Sequence, residues 1–122
     1  MRKLILGALL VAGASPVLAA NWVLVGKNTY GSTYEIDRES MTRAGTSVTF
    51  WLKVHYGPDA PPGNSDGYIA RRKVNCADKS YQDLQTDYQK EGRVIQSSGV
   101  EEMRYAAPET IAASVVDSAC RG

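Results

Sequence analysis

The 122-residue sequence holds a single histidine, His55, and only two cysteines, Cys76 and Cys120. One histidine leaves a zinc-type site without its usual partners and offers a hydrolytic triad a single choice of base. The cysteines stand 44 positions apart, so the Cys-x-x-Cys spacing of redox pairs is absent. Neither charge is in surplus: 14 Lys and Arg against 13 Asp and Glu give a net +1. Such a balance supplies no general attraction to nucleic acid or to an anionic membrane. There is no phosphate-binding glycine loop. Beyond residue 19 no apolar run is long enough to span a bilayer.

What is present begins with a leader. Arg2 and Lys3 precede the short apolar run Leu4 to Ala14, and Val17-Leu18-Ala19 places small residues at the −3 and −1 positions. Residues 1–19 therefore read as a signal peptide cut between Ala19 and Ala20. The leader holds two of the 14 basic residues and none of the acids, so residues 20–122 carry one net negative charge with His55 neutral. They form one domain, with room for one modest core. No cysteine directly follows the cut to carry a lipid. The expected destination is the periplasm, the cell surface or the medium. In those compartments two lone thiols are expected to join, so Cys76–Cys120 reads as a structural staple. The loop it closes is worth about 4 kcal/mol in the chain-entropy account.

The periodicity gives strands first and one helix last. Trp22 to Gly26 is a short apolar strand, and Thr33 to Asp37 alternates. Arg43 to Thr46 reads as a turn. Ser47 to Tyr56 is the clearest strand, with Val48, Phe50, Leu52, Val54 and Tyr56 on one face and Thr49, Trp51, Lys53 and His55 on the other. Gly57 to Gly67 holds three prolines and three glycines and is a loop. Tyr68 to Cys76 returns as a strand, and a further strand (or a helix) starts near Tyr81. Lys90-Glu91-Gly92 turns into Arg93 to Ser97, and Glu101 to Tyr105 adds a short extension. Pro108 suits a first helical turn and Glu109 its positive end. Ile111, Ala112, Val115, Val116 and Ala119 then form an apolar stripe that Cys120 continues. The expected fold is α+β: an antiparallel sheet of about six strands with one C-terminal helix tied to it by the disulfide.

Catalytic and metal-binding candidates are few. Gly63-Asn64-Ser65-Asp66-Gly67 matches Gly-x-Ser-x-Gly, but a proline-rich loop precedes it, a strand follows it, and the histidine comes earlier in the chain. His55 stands alone on a polar strand face, and Glu101 and Glu102 point to opposite faces if extended. We therefore expect no catalytic residue, no metal and no cofactor. The feature suited to binding is Arg71-Arg72-Lys73. In a strand Arg71 and Lys73 project together, and with Lys53 on a neighbouring strand they make a basic strip that aromatics border. The alternative is edge protection, in which charges keep a sheet edge from pairing. Arg72 shares the opposite face with Val74 and Cys76, where it pairs with a carboxylate or snorkels around the helix.

An ordered set of motifs spans this chain: Trp22, Tyr34-Glu35-Ile36-Asp37, Ser40 before a turn, the long strand with Trp51, Val74-Asn75-Cys76, Tyr88 with Gly92 four residues on, Pro108-Glu109-Thr110, and Cys120. In this order it resembles the surface-adhesin protein E-like family of Gram-negative bacteria. The resemblance implies a six-stranded antiparallel sheet with a disulfide-tied C-terminal helix. It also implies binding of host matrix and serum proteins such as laminin and vitronectin. The founding members resemble lipoproteins, and this chain departs from them in lacking a lipid-bearing cysteine after its leader. The expected function is a secreted or envelope binding module, adhesin-like and non-catalytic, whose partner is an extracellular-matrix or envelope protein. The alternative is a periplasmic inhibitor or accessory protein that inserts the Gly57 to Gly67 loop. Oligomeric state is not legible here.

Overall fold

A computed structural model describes residues 20–121; the leader, including Ala19 of the expected cleavage site, lies outside the described residues. Eight strands form one antiparallel sheet: β1 (Trp22–Lys27), β2 (Thr33–Asp37), β3 (Thr42–Ala44), β4 (Ser47–His55), β5 (Gly67–Asn75), β6 (Ser80–Lys90), β7 (Arg93–Ser98) and β8 (Arg104–Tyr105). The order across the sheet is β1-β2-β4-β5-β6-β7. β2 and β3 share one edge of β4, joined by a 3-10 turn at Arg38–Ser40, and β7 and β8 share the outer edge of β6. The expected six strands are the main path, and the two additional strands are these short extensions. The segment expected as a turn from Arg43 narrows to Gly45 and Thr46, because Arg43 and Ala44 pair with Val48 and Ser47 in β3.

The alternation along β4 becomes its burial. Val48, Phe50, Leu52 and Val54 are fully buried, while His55 is exposed. The one α-helix among the described residues, α1 (Ile111–Arg121), lays Val115, Val116 and Ala119 on these side chains and on Ile36 and Val74. Truncating a side chain such as Phe50 in this core costs about 3–5 kcal/mol. Cys76 and Cys120 are bonded, with Cα atoms 5.8 Å apart, inside the usual span for a bridge. Arg38 and Arg43 add a second fastening: their guanidinium groups donate to the carbonyls of Ser118 and Cys120 at 3.2 and 3.3 Å. Those carbonyls lie in the last helical turn, where backbone acceptors lack partners and cations are favoured.

The helix starts later than its sequence suggests. Pro108 and Glu109 lie in the preceding turn, with Glu109 at φ +64°, and the first helical turn contains no acid. Thr110 caps instead: its Oγ1 accepts from the amide of Ala113 at 3.2 Å and donates to the carbonyl of Ala107 at 2.7 Å. The stretch from Ser80 settles as a strand. Its hairpin into β7 turns on Glu91 and Gly92, both at positive φ (51° and 79°), as a two-residue turn matched to the sheet's twist demands. The loop after β4 is pinned at Gly57, where a Cβ would collide with the backbone of Tyr30 and Gly31.

Candidate functional site

The sheet presents two chemically distinct faces. On the outer face, away from the helix, register places Trp51 opposite Arg71 and Thr49 opposite Lys73. Lys53 follows two residues after Trp51 on β4. The structure thus brings Lys53, Arg71 and Lys73 onto one surface. Arg71 holds its guanidinium 5.9 Å from the Trp51 ring centroid, and Lys53 holds its ammonium 4.5 Å from that of Trp22. Such stacked cations gain about 0.5–1 kcal/mol each at exposed sites. Lys53 also meets Glu35 of β2 at 4.0 Å, a weak exposed pair. β5 lies in the interior of the sheet, bonded to β4 and β6 along its length. Edge protection therefore does not explain Arg71 and Lys73. His55 ends β4 on the same face and is exposed.

The inner face is covered by α1 over only part of its width. Beyond the helix lies a cavity of about 400 Å³. Tyr34, Tyr56, Tyr68, Tyr81 and Tyr88 line it, with Arg72, Asp83 and Thr86, and Glu101, Glu102 and Arg104 border it. Arg72 is 6 % exposed and donates Nε and Nη2 to the two Asp83 oxygens at 2.7 and 3.1 Å, a bidentate, charge-assisted pair. Its guanidinium also stacks 4.6 Å from the Tyr81 ring centroid. Burial opposes the Arg72 charge, and the Asp83 hydrogen bonds and field outweigh it, so its pKa is raised. Burial raises the Tyr68 phenol too, only partly countered by Arg72, and Tyr56 shifts the same way, by burial and then by its tyrosine neighbours. Tyr68 packs against Tyr56 and Tyr88 at centroid distances of 6.1 and 5.8 Å with tilted planes. The Thr86 hydroxyl is buried and makes no hydrogen bond.

Of the two courses the sequence leaves Arg72, a carboxylate partner or a path around the helix, the structure shows the first, and the cavity is not foreshadowed. A bulge hid it. Leu84 is the extra residue between the pairs Arg72–Asp83 and Arg71–Gln85. It resets the alternation, so Tyr81 and Asp83 share a side with Thr86 and Tyr88, which a strict period of two does not predict. The one usable signal was tyrosine at inward positions of β5 and β6 where aliphatic residues run out.

Ser65 fastens its loop: its hydroxyl lies 2.9 Å from the carbonyl of Gln89 and accepts from the amide of Gly67 at 3.1 Å. Among the described residues, no three or more His, Cys, Asp or Glu side chains gather closely enough to hold a metal ion. No helix among them is long and apolar enough to cross a membrane.

No curated protein and no solved structure matches the chain significantly. The model of the surface-adhesin protein E family matches residues 22–121, which takes in every strand, the helix and both half-cystines. On that match, and with a sheet-plus-helix fold closed by Cys76–Cys120, the chain belongs to the surface-adhesin protein E family.

Proposed function

We propose that this protein is an exported, non-catalytic binding module that grips a protein partner with the outer face of its sheet. The observation that carries this reading is the basic strip of Lys53, Arg71 and Lys73 on the interior strands β4 and β5, with Lys53 held over Trp22 and Arg71 over Trp51. Cations fixed over indole rings lose less side-chain freedom on binding than free lysines do. Aromatic residues with arginine are the usual anchors of protein interfaces. The complementary partner is an acidic segment of a matrix or envelope protein, and membership of a surface-adhesin family supports the first of these. Binding to immobilised laminin and vitronectin at low salt tests it. The double variant Arg71→Glu with Lys73→Glu is expected to weaken capture more than tenfold. Unchanged capture by the folded variant refutes the strip. Proteolysis on intact cells, with a periplasmic control protein, separates surface display from periplasmic residence.

A second reading, an inhibitor or accessory protein of the envelope, draws on the loop between β4 and β5. Its base is held by Tyr56–Asp66 and Asp66–Gln89 backbone bonds, and its tip, residues 61–64, is exposed. A rigid base with a free tip suits insertion into a partner's cleft. Shortening Pro58 to Asp66 should then abolish co-purification with an envelope protein, and undiminished co-purification rejects the reading.

A further inference from the structure

We infer that the inner-face cavity is a binding site for a neutral pyranose unit, separate from the outer basic strip. At about 400 Å³ it falls within the range of small-molecule sites. Its charges decide the class of ligand. The deep pair Arg72–Asp83 is already mutually neutralised. At the border two carboxylates, Glu101 and Glu102, stand with one cation, Arg104. With two carboxylates against one cation the border carries one net negative charge, which opposes an anion. A cation finds no free carboxylate in the interior, since Arg72 engages both Asp83 oxygens. A peptide strand would need free backbone partners, and the backbones of β5 and β6 are paired with each other.

What the walls offer is hydroxyls, rings and planar polar groups. Five tyrosines line the space, with Thr86 and Arg72 among them. The phenols of Tyr56 and Tyr68 resist ionisation and so stay donors as well as acceptors. The bonds to Asp83 engage Nε and Nη2 of Arg72. Nη1 makes no hydrogen bond among the described residues, and a ligand hydroxyl would accept from it. A pyranose ring matches this set: its C–H face packs on a tyrosine ring while its rim of hydroxyls bonds to phenols and guanidinium.

The test is an amide-resolved NMR titration of the purified protein with methyl glycosides of glucose, galactose and N-acetylglucosamine. Saturable shifts are expected at Arg72, Asp83, Tyr88 and Ile111, with a Kd of about 1 mM or tighter. Tyr88→Phe, which removes one hydroxyl, should weaken binding about five- to tenfold. Ala112→Phe, which fills the cavity from the helix side without removing a polar group, should abolish it. Arg71→Glu with Lys73→Glu should leave it intact, so this site and the outer strip stand or fall separately. The inference is overturned if no glycoside gives saturable shifts there at about 50 mM, or if binding survives Ala112→Phe. It is equally overturned if tetramethylammonium or acetate saturates the cavity while the glycosides do not. A glycoprotein glycan and an envelope polysaccharide present the same ring; competition of each against the bound methyl glycoside tells the two sources apart.

Discussion

Replacing Asp83 with Leu should be among the most damaging single changes in the sheet. The Arg72 and Asp83 side chains are 7 % and 12 % exposed, so water barely reaches either charge. Two hydrogen bonds at 2.7 and 3.1 Å join them. Removing the acid strands a guanidinium that cannot shed its proton, and breaking a buried pair in this way costs about 3–5 kcal/mol. An ordinary domain has only about 5–15 kcal/mol of net stability. With a urea m-value of roughly 1–2 kcal/mol/M, the unfolding midpoint should fall by about 1.5–5 M. Arg72→Met should cost less, because the Asp83 carboxyl left behind can protonate. The double variant, Arg72→Met with Asp83→Leu, should lie within about 1 kcal/mol of the native protein, since the desolvation penalty leaves with both charges. Urea unfolding followed by far-UV circular dichroism on all four proteins closes the cycle. If Asp83→Leu loses under about 1 kcal/mol, or if the two losses simply add, the pair is not the buried, mutually dependent unit described.

Three further outcomes are expected. Replacing both Cys76 and Cys120 by Ala should lower stability by about 4 kcal/mol in the same urea assay, and a loss below about 1 kcal/mol would refute the loop-entropy account. Burial raises the Tyr68 pKa from its ordinary 10.0, so its contribution is complete below pH 10 and is lost as pH rises, because the unfolded chain ionises first. Stability should fall by about 1.4 kcal/mol per pH unit above 10 for this group, and Tyr68→Phe should flatten that slope in alkaline unfolding curves. Thr110→Ala removes the helix cap and should cost about 1 kcal/mol, with amide exchange quickening first at Ala113.

Much of the fold was legible because its strongest elements are local. β4 alternates without interruption, and its inward residues are the core. The helix stripe Val115, Val116 and Ala119 needs only helical spacing to be seen. Thr33 to Asp37 matches β2 to the residue. What was hidden depends on pairing across the chain. β3 exists because Arg43 and Ala44 meet Val48 and Ser47, and nothing in three residues announces a strand. Glu109 seemed a helix-start acid, yet the Thr110 hydroxyl claimed the cap and pushed the start to Ile111. The basic strip was visible in Arg71 and Lys73, but its interior place in the sheet was not, because only the pairing of β6 beside β5 excludes edge protection. The cavity was the least legible, since its five tyrosines are scattered over 55 positions and the Leu84 bulge conceals that Tyr81 and Tyr88 share a side.

The two faces follow from one mismatch of dimensions. An 11-residue helix is about 16 Å long, whereas six strands at about 4.8 Å spacing make a sheet about 24 Å across. The helix packs chiefly on β1, β2, β4 and β5, so the inner face toward β6 and β7 has no lid of its own. A bare aliphatic surface there would invite aggregation. The chain finishes it with tyrosines, which bury a ring and keep a hydroxyl, and with Arg72–Asp83, which brings two charges in as one neutral unit. The same placement leaves Trp51, Arg71 and Lys73 uncovered by the helix, and among the described residues no other helix or strand packs over them. One staple at Cys76–Cys120 therefore serves both surfaces: it holds the helix to the half it covers, and by doing so it keeps the cavity open beside it and the basic strip open behind it.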